Sequence, residues 1–289
     1  MAGAEKRRLS RPGTDGPHAV SRSPFLLGDF HVHSTFSDGK SAPEDVVLAA
    51  IARGMRYIGF SDHSHTPHDE SYCMRKERAA EYRGVIARLR EKYSDRITVL
   101  CGVEQDYYSD MPSDGYDYVI GSVHYIRAGG EFCEIDGRPE RLVAAAEKYF
   151  GGSIAALSEV YYETVSDVAA VTGADIVGHF DLLTKHNGGG KLFSESDPVY
   201  ISAWTAAADR LLAGGRLFEI NTGAISRGYR HSPYPSAEQR RYIFSHGGRF
   251  ILSGDSHRPE NLCFGFEDLV SEPGLITPEE FARGLKGAE

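Results

Sequence analysis

Along most of the chain, short apolar runs alternate with longer amphipathic stretches. FLLGDFHVH (25–33) precedes PEDVVLAAIAR, RYIGFSDH (56–63) precedes RKERAAEYRGVIARLREKY, and ITVLCGVEQ (97–105) follows. YDYVIGSVH (116–124) then leads into a helical stretch around Ala144–Val171. ADIVGHFD (174–181) precedes YISAWTAAADRLLAG, RLFEIN (216–221) precedes SAEQRRYIFSH, and RFILSGDSH (249–257) comes last. The runs are short and rich in β-branched and aromatic residues, the composition of strands buried in a parallel sheet, and the stretches between them carry helical periodicity. Ser41 and Glu44 read as a capping box for the first helix, and Gly54 as its stop. Seven strands alternating with helices predict an α/β fold, a distorted (β/α)7 barrel of the TIM-barrel kind in one domain, with a doubly wound open sheet as the alternative.

Composition narrows the field. The chain has 289 residues, 41% of them hydrophobic, which suffices for a large core. With 32 Lys and Arg against 41 Asp and Glu, the net charge of −9 speaks against a broad surface for a phosphate backbone, so no nucleic-acid partner is expected. No apolar stretch approaches the roughly 18 residues of a membrane span, and no secretory apolar segment opens the chain. Four cysteines without a CxxC pair fit a reducing cytoplasm. Residues 1–24, rich in Arg, Ser, Gly and Pro, read as a flexible leader, and residues 25–289 as the barrel.

The chemistry collects at the strand ends. His31 and His33 end the first strand, Asp62 and His63 the second, Glu104 the third, His124 the fourth, His179 and Asp181 the fifth. Glu219 and Asn221 lie on or near the sixth, and Asp255 and His257 follow the seventh. In parallel α/β architecture these ends converge on one face, so all but Glu219 are placed to meet in one cavity. Two residues apart on a strand, His31 and His33 share a face and can chelate one ion. Carboxylates gathered there would repel one another without a cation. The polar loops HNGGGKLFSESD and GAISRGYRHSPYP are expected to cover the site.

The set Asp29-x-His31-x-His33, SDH (61–63), Glu104, GSVH (121–124), GHFD (178–181) and GDSH (254–257) resembles the polymerase and histidinol phosphatase (PHP) superfamily from about Phe25 to Glu267. Its longer motifs look most like the monofunctional histidinol-phosphate phosphatases of histidine biosynthesis. The resemblance implies two to three divalent ions (Zn, Mn or Fe). The first would take His31, His33, Glu104 and Asp255; the second would share Glu104 and add His124 and His179. The third would take His63, His257 and Asp38 from FSDG, where several relatives carry a histidine.

The implied reaction is hydrolysis of a small phosphomonoester, most like histidinol phosphate, by a hydroxide bridging two ions that share Glu104. Arg227 and Lys185 are expected to clamp the phosphate. The leaving group's proton would come from His63, Asp62 or ion-bound water, an open choice. Carboxylates such as Asp106, Glu134 or Asp136 would meet the amine. The alternatives are another PHP phosphoesterase, acting on nucleotide, sugar or tyrosine phosphates, and a non-catalytic metal-binding regulatory barrel. Oligomeric state is not legible.

Overall fold

The structure, a computed structural model, describes residues 23–286, so all but the last two positions of the expected leader lie outside the described residues. Regular elements follow in the order β1 (Gly28–Asp29), α1 (Pro43–Ala52), β2 (Tyr57–Phe60), α2 (Ala79–Lys92), β3 (Thr98–Asp106), β4 (Tyr118–Ser122), β5 (Tyr125–Ala128), β6 (Glu131–Glu134), α3 (Pro139–Tyr149) and α4 (Ile154–Thr172). They continue with β7 (Ile176–Val177), α5 (Pro198–Ala213), β8 (Leu217–Asn221), α6 (Gly223–Ser226), α7 (Ala237–Ser245), β9 (Phe250–Ser253) and α8 (Pro278–Lys286).

Seven strands form one parallel sheet in the order β1-β2-β3-β4-β7-β8-β9. The sheet curls into a nearly closed barrel: Val32 bridges Ser256 in parallel register, His33 N donates to Ser256 O (2.9 Å), and Ser256 N donates to His31 O (2.9 Å). The barrel expectation therefore holds over the open sheet. Among the described residues no helix is long and apolar enough to cross a membrane.

Near the strand starts, Phe30, Leu100, Tyr118, Ile120, Ile176 and Ile251 pack with Phe281 and Ala282 of α8. The Tyr118 hydroxyl donates to Phe30 O (2.6 Å) and Phe60 O (3.1 Å). Its ring fits because two strand positions lack a Cβ: one added at Gly59 or Gly102 would come within 2.4 or 2.3 Å of the Tyr118 side chain. Glycine inside a strand here marks a close approach, as its conformational cost requires.

Three local expectations need correction. Ser41 and Glu44 form no capping box: Ala42 is the N-cap of α1, and the Glu44 carboxylate accepts from Lys92 Nζ (2.5 Å) and Tyr93 Oη (2.6 Å). A capping box does form at α7, where Ser236 Oγ accepts from Gln239 N and the Gln239 side chain accepts from Ser236 N. The single helical stretch around 144–171 is two helices, parted at Gly151 and Gly152, whose φ of 60° and 83° suits glycine, with Ser153 capping α4. Before α3 stands an antiparallel hairpin, β5–β6, that the helix pattern did not anticipate.

Candidate metal centre and its cavity

The first strand is shorter than its apolar run suggests. Pro24–Leu27 is a 3-10 turn, and regular pairing covers only Gly28–Asp29; beyond it Val32 O still accepts from Ser61 N (2.9 Å) just past β2, while the other side of the chain joins Ser256. The backbone still alternates, so the rings of His31 and His33 lie 5.2 Å apart on one side. His124, His179 and Asp255 each stand two residues past the end of β4, β7 and β9. Asp255 has φ 46°, an uncommon conformation for a residue with a Cβ, and a Cβ on Gly223 would lie 2.6 Å from its Oδ2.

Glu104 sits at the centre. Its Oε1 lies 2.9 Å from His179 Nε2 and 3.4 Å from His124 Nε2, and accepts from Ser122 Oγ at 2.7 Å. Its Oε2 faces another set, with His63 Nδ1 at 2.8 Å, His31 Nε2 at 3.3 Å and His33 Nε2 at 3.6 Å. Beside it, Asp255 Oδ1 lies 3.4 Å from His33 Nε2 and 3.5 Å from His257 Nδ1. Asp38 Oδ2 is 2.9 Å from His257 Nε2, and its Oδ1 lies 3.7 and 3.8 Å from His33 Nδ1 and His63 Nε2. Three sets have ligand atoms within 4.8 Å of one another: His31, His33 and Asp255; His63, Glu104 and His124; and His33, Asp38, His63 and His257. All nine residues expected at the metals are thus brought together.

A second ring of acids aims the imidazoles. Glu219 Oε2 takes His31 Nδ1 at 2.8 Å, while its Oε1 accepts from His179 N (2.5 Å) and Asn221 Nδ2 (2.8 Å). Asp106 Oδ2 takes His124 Nδ1 at 3.0 Å. Each contact fixes the ring so that Nε2 points at Glu104, the usual arrangement behind metal-binding histidines. Glu219 is fully buried on β8, and its role was invisible to a search of strand tips.

The acids and imidazoles of the centre hold one another's charge: against the lowering effect of burial, Glu219 and Glu104 raise His31, and Glu104 and Asp106 raise His124, well above the ordinary histidine value, whereas His33 shifts the other way. Burial lowers His33 to about 3, helped by neighbouring His257 and His63, which keeps it in the neutral form that ligates. Burial alone would raise the Glu104 carboxyl, but the charges of His63, His31 and His124 outweigh it and hold the group well below its ordinary value. His31 Nε2, both nitrogens of His33, Asp38 Oδ1, His63 Nδ1 and Glu104 Oε2 are buried without a hydrogen bond. Buried polar atoms without partners are costly, and this imidazole and carboxylate donor set suits divalent transition metals.

The centre lies at the floor of a cavity of about 550 Å³. Loop 227–234 contributes Arg227, Tyr229 and Tyr234, whereas HNGGGKLFSESD contributes only His186. The hairpin and the segment after it supply Tyr125, Glu134, Asp136, Arg138 and Arg141. Arg227 lines the cavity, yet it also donates to Asp255 Oδ2 and Asp255 O, both at 2.9 Å. Lys185 lines it too, with Nζ donating to Asp136 O (2.6 Å) and Oδ2 (3.2 Å), so much of its charge is matched locally.

Asp62 and Asp106 do not reach the cavity. Asp62 is fully buried and accepts from Ser34 N (2.9 Å), Ser34 Oγ (2.8 Å), Ser37 N (3.0 Å) and Ser37 Oγ (2.6 Å). Those bonds hold the turn that presents Asp38 and keep the Asp62 carboxylate off the cavity wall. Asp106 is committed to His124, with Oδ2 3.0 Å from Nδ1, and lines no part of the cavity.

The family profile of the PHP domain matches residues 29–223, more than half of the chain, and the protein belongs to this family. A Deinococcus radiodurans protein named "Probable histidinol-phosphatase" is 29% identical over 257 residues, spanning 85% of this chain and 92% of its own length. A Schizosaccharomyces pombe protein of the same name is 27% identical over 267 residues, covering 83% and 81% of the two chains. The crystal structure of histidinol phosphate phosphatase from Lactococcus lactis subsp. lactis, complexed with Zn, L-histidinol and phosphate, superposes with a TM-score of 0.60. It is 21% identical and covers 87% of this chain and 96% of its own. That likeness extends the barrel fold over nearly the whole described chain.

Proposed function

We propose that the protein is a metal-dependent phosphomonoesterase and that its substrate is histidinol phosphate, cleaved to histidinol and phosphate. The observation that carries this reading is Glu104, whose two carboxylate oxygens face separate sets of imidazoles at the floor of a cavity walled in part by Arg227. Two to three divalent ions (Zn, Mn or Fe) would be held by His31, His33, Glu104 and Asp255, by Glu104, His124 and His179, and by Asp38, His63 and His257. Such ions acidify water into a nucleophile at neutral pH and offset charge on the phosphoryl oxygens.

The chain's own groups do the rest. Glu219 and Asp106 hold His31 and His124 in one tautomer. Arg227, fixed by Asp255, presents a guanidinium that stays charged at any working pH and can meet phosphate oxygens through its planar fork. With Asp62 committed elsewhere, His63 is the candidate side chain for the leaving group's proton when two ions are held, since it lines the cavity; with a third ion bound its ring is a ligand and water supplies that proton. Asp69 and Glu134 add acidic lining that supports a leaving group bearing an amine. The names of the two sequence relatives and the ligands of the Lactococcus structure support the choice of substrate. Cys73, Cys101 and Cys133, all buried free thiols, support a reducing, cytoplasmic setting.

The test is phosphate release from a panel of phosphomonoesters, including histidinol phosphate and nucleotide, sugar and tyrosine phosphates, after chelation and after return of Mn or Zn. Metal-dependent turnover with histidinol phosphate preferred is the expected result. Preference for another member would reassign the substrate. No turnover of any member by protein that has rebound its ions would leave a binding barrel.

A further inference from the structure

Among the described residues, Tyr234 combines three properties. It lines the catalytic cavity, it is 1% exposed, and its hydroxyl has no hydrogen-bond partner. A phenol in that state forfeits its solvation for nothing within the fold, a cost that asks for an explanation. The rest of the residue is firmly held. Its backbone pairs with Asn221 in both directions, Tyr234 N donating at 3.0 Å and Asn221 N donating to Tyr234 O at 2.7 Å. Asn221 in turn donates to Glu219, the acid that aims His31 and receives the His179 backbone. The ring lies under the Arg230 guanidinium at 4.5 Å, and its centroid is 6.5 Å from that of His179.

Arg230 is buried and already engaged, with Thr184 Oγ1, with Ser232 Oγ at 3.2 Å and with Asp181 Oδ2 at 3.6 Å. Its charge is therefore used in fixing the Tyr234 ring, and it is absent from the cavity lining. The same loop carries Arg227 into that lining. A neutral donor locked beside a fixed cation, next to imidazoles around Glu104, is the arrangement of a built anion contact.

We infer that the Tyr234 hydroxyl is a substrate-binding donor of the phosphatase, giving its hydrogen bond to a non-bridging oxygen of the phosphoryl group beside Arg227. The inference rests on the phosphomonoesterase reading but not on the identity of the leaving group. No bond is made or broken at Tyr234, and no proton leaves it.

Tyr234→Phe tests this, because it removes only the unpartnered oxygen and keeps the ring on Arg230. The metal-loaded variant should keep its ion content and melt no lower than wild type. Its affinity for inorganic phosphate, measured alone by calorimetry, should fall by roughly tenfold or more, the scale of one lost buried donor to a charged group. kcat/KM should fall by a similar factor on histidinol phosphate and on 4-nitrophenyl phosphate, since both present the same phosphoryl group.

Unchanged phosphate affinity in folded, metal-loaded Tyr234→Phe would overturn the inference. So would a loss confined to histidinol phosphate, which would place the hydroxyl on the leaving group. Tyr118→Phe is the control for a structural phenol: it gives up two backbone contacts, so it should melt lower with phosphate affinity intact. If Tyr234→Phe behaves like that control, its hydroxyl is scaffold. If wild type binds phosphate but does not turn over histidinol phosphate, the substrate assignment fails while the Tyr234 contact stands.

Discussion

A carboxylate with two oxygens facing different imidazole sets does work that no single ligand repeats. Glu104→Gln keeps the volume and removes the charge, so it should abolish turnover and cost at least one ion per chain, as read by elemental analysis beside steady-state kinetics; wild-type turnover in a loaded variant would contradict its central role. Glu219 acts one layer back. Glu219→Gln should fold and should lower metal affinity or activity by about 10- to 100-fold, the usual effect of losing a carboxylate behind a ligating histidine. An effect below a factor of two would mean that packing alone aims His31. Asp62 belongs to the same scale but to a different job. Asp62→Ala strands four donors of Ser34 and Ser37, and a loss of about 2–4 kcal/mol in denaturant unfolding is expected, together with weaker ion binding where Asp38 contributes. The sequence put Glu104 and Asp62 among the strand-end residues but left Glu219, inside β8, out of the set expected to meet in the cavity. It did not separate ligand from prop, because all are acids on or beside the strands, and only their partners tell them apart: Asp62 is held by Ser34 and Ser37, Asp106 and Glu219 sit behind His124 and His31, and Asp38 and Asp255 line the cavity.

At the scale of elements, the seven strands were legible because a buried parallel strand is apolar on both faces and helices between them keep their own period. Two kinds of boundary were not. The hairpin β5–β6 carries its own signal, the Gly129-Gly130 pair between YIRA and EFCE, with φ of 57° and 87°, but its residues fall between the run ending at His124 and the helical stretch around Ala144 and were given to neither. Caps depend on where the side chain finds its partner. The Ser41 and Glu44 pattern lost to Lys92 and Tyr93, whereas Ser236 and Gln239 close on each other, with Gln239 Nε2 donating to the Tyr162 and Tyr200 hydroxyls at 3.2 and 3.3 Å. Missing the hairpin mattered for function, since it and the segment after it carry Glu134, Asp136 and Arg138 into the cavity and pair Asp136 with Lys185.

The whole molecule is a barrel whose seam is thin. β1 offers only Gly28 and Asp29 to regular pairing, and its union with β9 rests on the Val32–Ser256 bridge and a few hydrogen bonds, among them Gly254 N donating to Asp29 Oδ1 at 2.9 Å. The candidate ligands straddle that seam: His31 and His33 come from one side, Asp255 and His257 from the other. Ions bound between them act as cross-links that exist only in the folded state, so they add stability by mass action, about 2.7 kcal/mol per site when free metal stands at 100 times Kd. They also relieve the mutual repulsion of Glu104, Asp255 and Asp38. Chelation should therefore lower Tm, and Mn or Zn should restore it. The loss should be local before it is global, with faster amide exchange in 28–34 and 253–258 than in β3 and β4, whose pairing runs over five consecutive residues. Calorimetry and hydrogen exchange on the same preparation check both parts. Equal Tm and equal exchange at the seam, with and without ions that are shown to bind, would mean that the barrel closes without them and that the ions serve chemistry alone.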